Sequence, residues 1–159
     1  MSDELLKFSD PLALGFSGFP SDRDDARGKW ADAFEAMLDH IVPAATLQLT
    51  YATVARTAFF DTLELANGIS AKDAATDLAD AWSAAIMTFA AGTSLPAFGS
   101  WTPGMVALQH AALETALKGL FSTPGFVAAQ QLAAVAAALH AATVTLTAVT
   151  TNGAALAYT

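Results

Sequence analysis

The side chains of this sequence best suited to chemistry are three histidines and a short acidic run. His110 and Glu114 stand four residues apart. That spacing puts both on one face of a helix and suits a base–acid pair or the first two ligands of a metal site. Neither an HExxH motif nor a third ligand accompanies them, so they read as an ordinary polar pair. His40 follows Asp39 near an expected helix C-terminus, where a cation is favoured, and reads as a cap. His140 has no carboxylate near it in sequence and reads as a hydrogen-bonded buried or interfacial histidine. Asp22, Asp24 and Asp25, with Arg23 and Arg27, lack the spaced carboxylates and glycine of a calcium loop, and read as a solvated helix start. The chain has no cysteine, which removes disulfides, thiolate metal sites and cysteine nucleophiles. No Walker loop, G-x-S-x-G elbow or G-x-G-x-x-G fingerprint is present. The residues therefore imply no catalytic centre, no metal site, no cofactor and no small-molecule substrate.

The framework around these residues is set by charge. At 159 residues the chain suits one domain with a real core. It is 54% apolar and only 14% charged, against roughly 25% charged in an ordinary soluble domain. The net charge is −8 and the seven basic residues are scattered, which argues against nucleic acid as a partner. Residues 1–80 carry 20 charged side chains, whereas residues 81–159 carry 2, Glu114 and Lys118. A solvated surface needs charge, so the second half is expected to be sheltered by partner subunits, a membrane or the first half. The N-terminal MSDELLKFSDP is acidic and lacks the basic-then-apolar order of a secretory signal.

The periodicity predicts a mainly α fold of about five helices packed as a bundle. Residues 1–20 are expected to form an extended N-terminal arm, broken by Pro11, Gly15, Gly18 and Pro20 yet rich in Leu and Phe. Residues 21–142 form the helical domain. A first helix runs from about Ser21, as N-cap, to His40, with Trp30, Phe34, Met37, Leu38 and Ile41 as its stripe. A second spans about Ala44 to Ala66, its pattern including Leu47, Tyr51, Val54, Ala55, Ala58, Phe59, Leu63 and Leu65, with Asn67-Gly68 as its stop. The third, Ser70 to Gly92, is marked at both ends. Ser70 and Asp73 make an approximate capping box, and Leu78, Trp82, Ala85, Ile86 and Phe89 make the stripe. A fourth begins at Thr102-Pro103 and runs through Met105, Val106, Leu108, Ala112, Leu113 and Leu117 to Lys118-Gly119. Thr123-Pro124 opens a fifth, which passes through Leu132, Val135 and Leu139 to about Ala142.

From Thr143 to Thr150 β-branched residues dominate and mostly alternate, which predicts a short C-terminal β-strand or hairpin over residues 143–159, turning at Asn152-Gly153. An isolated hairpin is marginal in water, so this one is expected to lie on the helices or pair with another chain. Apolar residues of the arm and tail, together with aromatics at loops and helix starts, are the candidate interface: Phe8, Leu12, Phe16, Phe19, Phe98, Trp101, Phe121, Phe126, Val144, Leu146, Val149 and Tyr158. Phe126 to Val149 is long enough to span a bilayer. Gln130, Gln131 and His140 interrupt it, and no Lys or Arg flanks it as an orientation signal, so a membrane is not the expected partner.

Two segments carry a likeness. KWADAFEAML, Lys29 to Leu38, places Trp-Ala-Asp-Ala-aromatic in an early helix; AAVAAALHAATVTLTAV, Ala133 to Val149, runs an Ala-rich helix through a His into a Thr/Val stretch. In both the chain resembles the small, Ala-rich virion-associated structural proteins of tailed bacteriophages. The resemblance implies a structural role in a particle, whether capsid, neck, tail or baseplate, and carries over no catalytic residue. The expected function is a non-catalytic subunit of a large symmetric assembly, with other copies of itself and other virion structural proteins as partners. Its expected location is the virion, assembled in the host cytoplasm. The alternative is a membrane-active or lipid-surface protein such as a holin-like lysis factor.

Overall fold

Around residues 60–65 side chains from two other parts of the chain satisfy backbone groups at a helix end. The computed structural model describes residues 22–41, 46–66, 69–92, 103–123 and 128–150. Five helices fill most of them: α1 Arg23–Ile41, α2 Thr46–Thr62, α3 Ala71–Gly92, α4 Pro103–Ser122 and α5 Ala128–Thr150. Among the described residues there is no strand. The expected arm, residues 93–102 and everything after Thr150 lie outside them.

The first helix starts one residue later than expected. Asp22 Oδ1 accepts the Asp25 N–H at 2.8 Å, so Asp22 is the N-cap. Asp24 then pairs with Arg27, and Asp25 with Lys29, the spacings that stabilise one helix face. On the inner face Trp30, Phe34, Met37 and Leu38 are buried with Ala52, Ala55, Phe59 and Leu63. The Phe34 and Phe59 rings stack with centroids 4.8 Å apart, within the favourable range for aromatic pairs. Outside, Arg56 reaches Asp32 and Glu35, and Thr53 donates to Glu35. Arg27 lies over the Phe60 ring at 4.2 Å and donates from Nε and Nη2 to the Phe60 carbonyl, so a cation caps the last turn of α2. Partner numbers rise along α1 as they fall along α2, so the two helices are antiparallel.

The end of α2 corrects the sequence reading. The helix stops at Thr62, short of Ala66, and Leu65 takes a φ of 45°, a conformation that non-glycine residues seldom adopt. Asp77 of α3 holds it there, accepting the N–H groups of Glu64 and Leu65 at 2.8 Å each. Val54, expected on the inner stripe, is 46% exposed.

The third helix starts, and buries its stripe, as its sequence predicts. Ser70 Oγ accepts the Asp73 N–H at 3.1 Å and donates to the Asp73 carboxylate at 2.7 Å. Leu78, Trp82, Ala85, Ile86 and Phe89 are all buried, with Ala75, Ala79 and Ala81 beside them. The helix packs against both α2 and α4. Pro103 opens α4, and Val106, Leu113 and Leu117 face the core, but Leu108 points outward and is 70% exposed. Gly119 does not stop the helix, which runs on to Ser122. Thr123 closes it, its hydroxyl donating to the Gly119 carbonyl at 2.8 Å.

The largest correction is the tail. Residues 143–150 continue α5 and are not a strand; the rest of the expected hairpin, from Thr151, lies outside the described residues. Val135, Leu139, Thr143 and Leu146 fall at helical spacing and are buried, so packing on the core overrides β-propensity. The Thr143 hydroxyl donates to the Leu139 carbonyl at 2.9 Å and accepts the indole N–H of fully buried Trp82 at 3.0 Å. Thr143→Val leaves that N–H without an acceptor and is expected to destabilise the fold by about 1–3 kcal/mol, while Thr143→Ser keeps most of the stability. Urea unfolding of the two variants checks this, and equal stabilities would show that the indole does not depend on the hydroxyl.

Candidate functional site

His110 and Glu114 do share a face of α4, and both are engaged by α3. His110 Nε2 meets Asp80 Oδ1 at 2.6 Å. One turn along, the Thr76 hydroxyl lies 2.5 Å from Glu114 Oε1 and 3.2 Å from the Lys72 carbonyl. Lys118 reaches the same glutamate oxygen at 2.6 Å. Positions 80, 76 and 110, 114 run in opposite directions, so the contacts form a ladder along an antiparallel seam. Each rung is an i, i+4 step on both helices, which is why a single spacing in the sequence produced two contacts. The signal missed was on α3, where Thr76 and Asp80 are also four apart. Among the described residues no group of three or more His, Cys, Asp and Glu is placed to hold a metal ion. The ladder is a fastening between helices. His140 is half-buried on α5, and the side chain of His40 lies outside the described residues.

The surface separates by helix. The exposed positions of α1 and the first half of α3 include Asp22, Arg23, Asp24, Asp32, Lys72, Asp73 and Asp80. Those of α4 are Pro103, Gly104, Ala107, Leu108, Ala111, Ala112, Thr115, Ala116, Gly119 and Ser122. Those of α5 are Gln130, Ala133, Ala141 and Thr145. Neither of the last two sets contains a charge. The scarcity of charge in the second half is thus only partly explained by burial inside the chain. The inner side of α5 is covered by its own domain; its described exposed positions are neutral and, apart from Gln130, small.

Of the residues expected to form an interface, two have described side chains. Leu146 is buried in the chain's own core, and Phe121 is half-buried against it. Leu146 therefore presents no surface to a partner, a correction that follows from α5 continuing past Ala142. Val144 and Val149 lie on α5, but their side chains are not among those described, and Phe8, Leu12, Phe16, Phe19, Phe98, Trp101, Phe126 and Tyr158 lie outside the described residues. Leu108, expected within the fourth helix, is the most exposed large apolar side chain described. Its neighbours gave the clue: Gly104, Ala111, Ala112, Thr115 and Gly119 fall on the same side of the helix, opposite Val106, Leu113 and Leu117.

Compared with known proteins, the chain matches no family model, no curated protein and no solved structure.

The ladder has a pH signature. Hydrogen bonds from Lys118 and then Thr76 hold the Glu114 carboxyl below its ordinary value of 4.5, against a smaller opposing effect of burial. A carboxyl lowered in the folded state contributes stability above its unfolded pKa and loses it as pH falls toward the folded one. Glu114→Gln is therefore expected to flatten the loss of stability on acidification below about pH 4.5, read from urea midpoints across that range. The same acid limb in both proteins would show that the Lys118 contact is too weakly held to matter.

Proposed function

We propose that the protein is a non-catalytic structural subunit of a large symmetric assembly, a tailed-phage virion component in capsid, neck, tail or baseplate. Its partners are other copies of itself and other virion proteins, and its location is the virion, assembled in the host cytoplasm. The observation that carries this reading is the uncharged outer side of α4 and α5 on a chain of net charge −8. Proteins that live alone in water cover their surface with charge, and subunit interfaces are depleted of it at their centres. The resemblance of Lys29–Leu38 and Ala133–Val149 to virion-associated proteins supports the particle as the setting.

Contacts of this kind repeat around a symmetry axis, so a subunit offers patches that its own copies recognise. The purified protein is expected to run as an oligomer in size-exclusion chromatography with light scattering, and to be found by mass spectrometry in purified particles. A monomer at all concentrations that is absent from particles would overturn the proposal. Liposome flotation separates it from the membrane-active alternative, because co-flotation favours a lipid-surface protein. Among the described residues no helix is long and apolar enough to cross a membrane.

A further inference from the structure

The end of α2 meets two charged side chains from other helices, and between them they divide one hydrogen bond. Leu63 N–H still reaches the Phe59 carbonyl at 3.0 Å, as in a helix. The next bond in the series would join Glu64 N–H to the Phe60 carbonyl. Arg27 of α1 takes the acceptor: its Nε and Nη2 both donate to the Phe60 oxygen, at 3.2 and 2.6 Å. Two donors fill the two lone pairs of a backbone carbonyl. Asp77 of α3 takes the donor, accepting Glu64 N–H through Oδ1 and Leu65 N–H through Oδ2, each at 2.8 Å. Nothing local forbids a further turn. Residues 63–66 are Leu-Glu-Leu-Ala, all good helix formers. An end at Ala66 leaves residues 67–70 to join α3, a length within the roughly 2–8 residues usual between bundled helices. Instead Leu65 takes a φ of 45°, a region that leucine seldom enters.

We propose that Arg27 and Asp77 form a stop that holds α2 short, and that α2 has a second length, ending at Ala66, which it takes when Asp77 lets go. Opposing effects balance the two forms. In the short form Leu63 is fully buried and Leu65 also packs against the core. In a continuous helix the two would lie about 200° apart, at about 100° per residue, so Leu65 would turn away from the core. The long form gains two helical bonds, from Glu64 to Phe60 and from Leu65 to Asp61, and returns Leu65 to an ordinary backbone conformation. The Asp77 carboxylate decides between them because it replaces both of those bonds at once, and charged acceptors make the stronger hydrogen bonds. Arg27 supports the short form from the other side. It stacks on the Phe60 ring at 4.2 Å and places positive charge at the negative end of the helix dipole. The device is a joint in which α3 sets the length of α2 through one side chain.

The test reads the full chain by NMR. In the wild type Leu65 gives the strong intraresidue HN–Hα NOE of a left-handed residue. In Asp77→Ala that NOE weakens to the helical level, and Hα–HN NOEs of helical i, i+3 spacing appear from Thr62 to Leu65 and from Leu63 to Ala66. Asp77→Ala/Leu65→Gly removes those helical NOEs again, because glycine enters the left-handed region freely and disfavours helix. Arg27→Met alone leaves Leu65 left-handed, since Asp77 still holds both N–H groups; added to Asp77→Ala it strengthens the helical NOEs by freeing the Phe60 carbonyl. The indole N–H resonance of Trp82, bonded to Thr143 in the core, reports that each variant is folded. If Asp77→Ala loses it, Asp77→Asn, which keeps one accepting oxygen, is read in its place, and the same outcomes apply. Leu65 left-handed without the Asp77 carboxylate would overturn the stop, because the packing of Leu65 alone would then end α2. Loss of the left-handed NOE with no helical NOEs in its place would overturn the second length, because the end of α2 would then only fray.

Discussion

Burial of α3 constrains every other helix. Its apolar side is broad: Leu78, Trp82, Ile86 and Phe89 supply volume, while Ala75, Ala79, Ala81 and Ala85 let neighbours approach closely. The helix packs on α2 at one side and α4 at another, and through Trp82 it reaches α5. Its charged groups are confined to the first half, and several polar contacts there tie down something else. Ser70 and Asp73 close the helix start, Asp77 holds the α2–α3 connection, and Thr76 and Asp80 grip α4. Removing α3 would take away the main packing that joins α1 and α2 to α4 and α5.

The sequence was most legible where a local rule and the tertiary environment agree. Ser70 with Asp73, the Leu78-to-Phe89 stripe and Pro103 at a first helical position obey rules that involve a few neighbouring residues. It was least legible where a distant group decides. Nothing near Leu65 in sequence announces a left-handed residue; an aspartate 12 positions on makes that conformation tolerable. The Thr143–Thr150 stretch alternates like a strand, but Leu139, Thr143 and Leu146 also continue a helical stripe begun at Val135, and a buried indole waits for the hydroxyl. Two periods were superimposed there, and long-range burial chose between them.

The candidate surface was legible in outline only. Charge counting alone shows that the second half lacks ionic groups. It does not separate residues neutral because they are inside from residues neutral because they face outward. Leu146 proved to be of the first kind and Leu108 of the second. Loop and tail aromatics drew attention by their size, whereas the exposed side of α4 is mostly Gly, Ala and Thr, residues that attract none. The His110–Glu114 pair was visible as a pair, and the α3 groups that engage it became apparent only once the two helices were side by side.

The split between a charged front and an uncharged back has a consequence for how salt acts on this molecule. Dissolved ions screen exposed charge pairs, and such pairs link α1 to α2 through Arg56, Asp32 and Glu35. No Asp, Glu, Lys or Arg occurs from Gly119 onward, so screening finds almost nothing to weaken along α5. Sulfate and similar excluded salts tighten apolar contacts instead. Such a salt therefore weakens the ion pairs of the first helical hairpin and strengthens the apolar packing of the last, so the two ends of a single small protein answer the same solution in opposite senses.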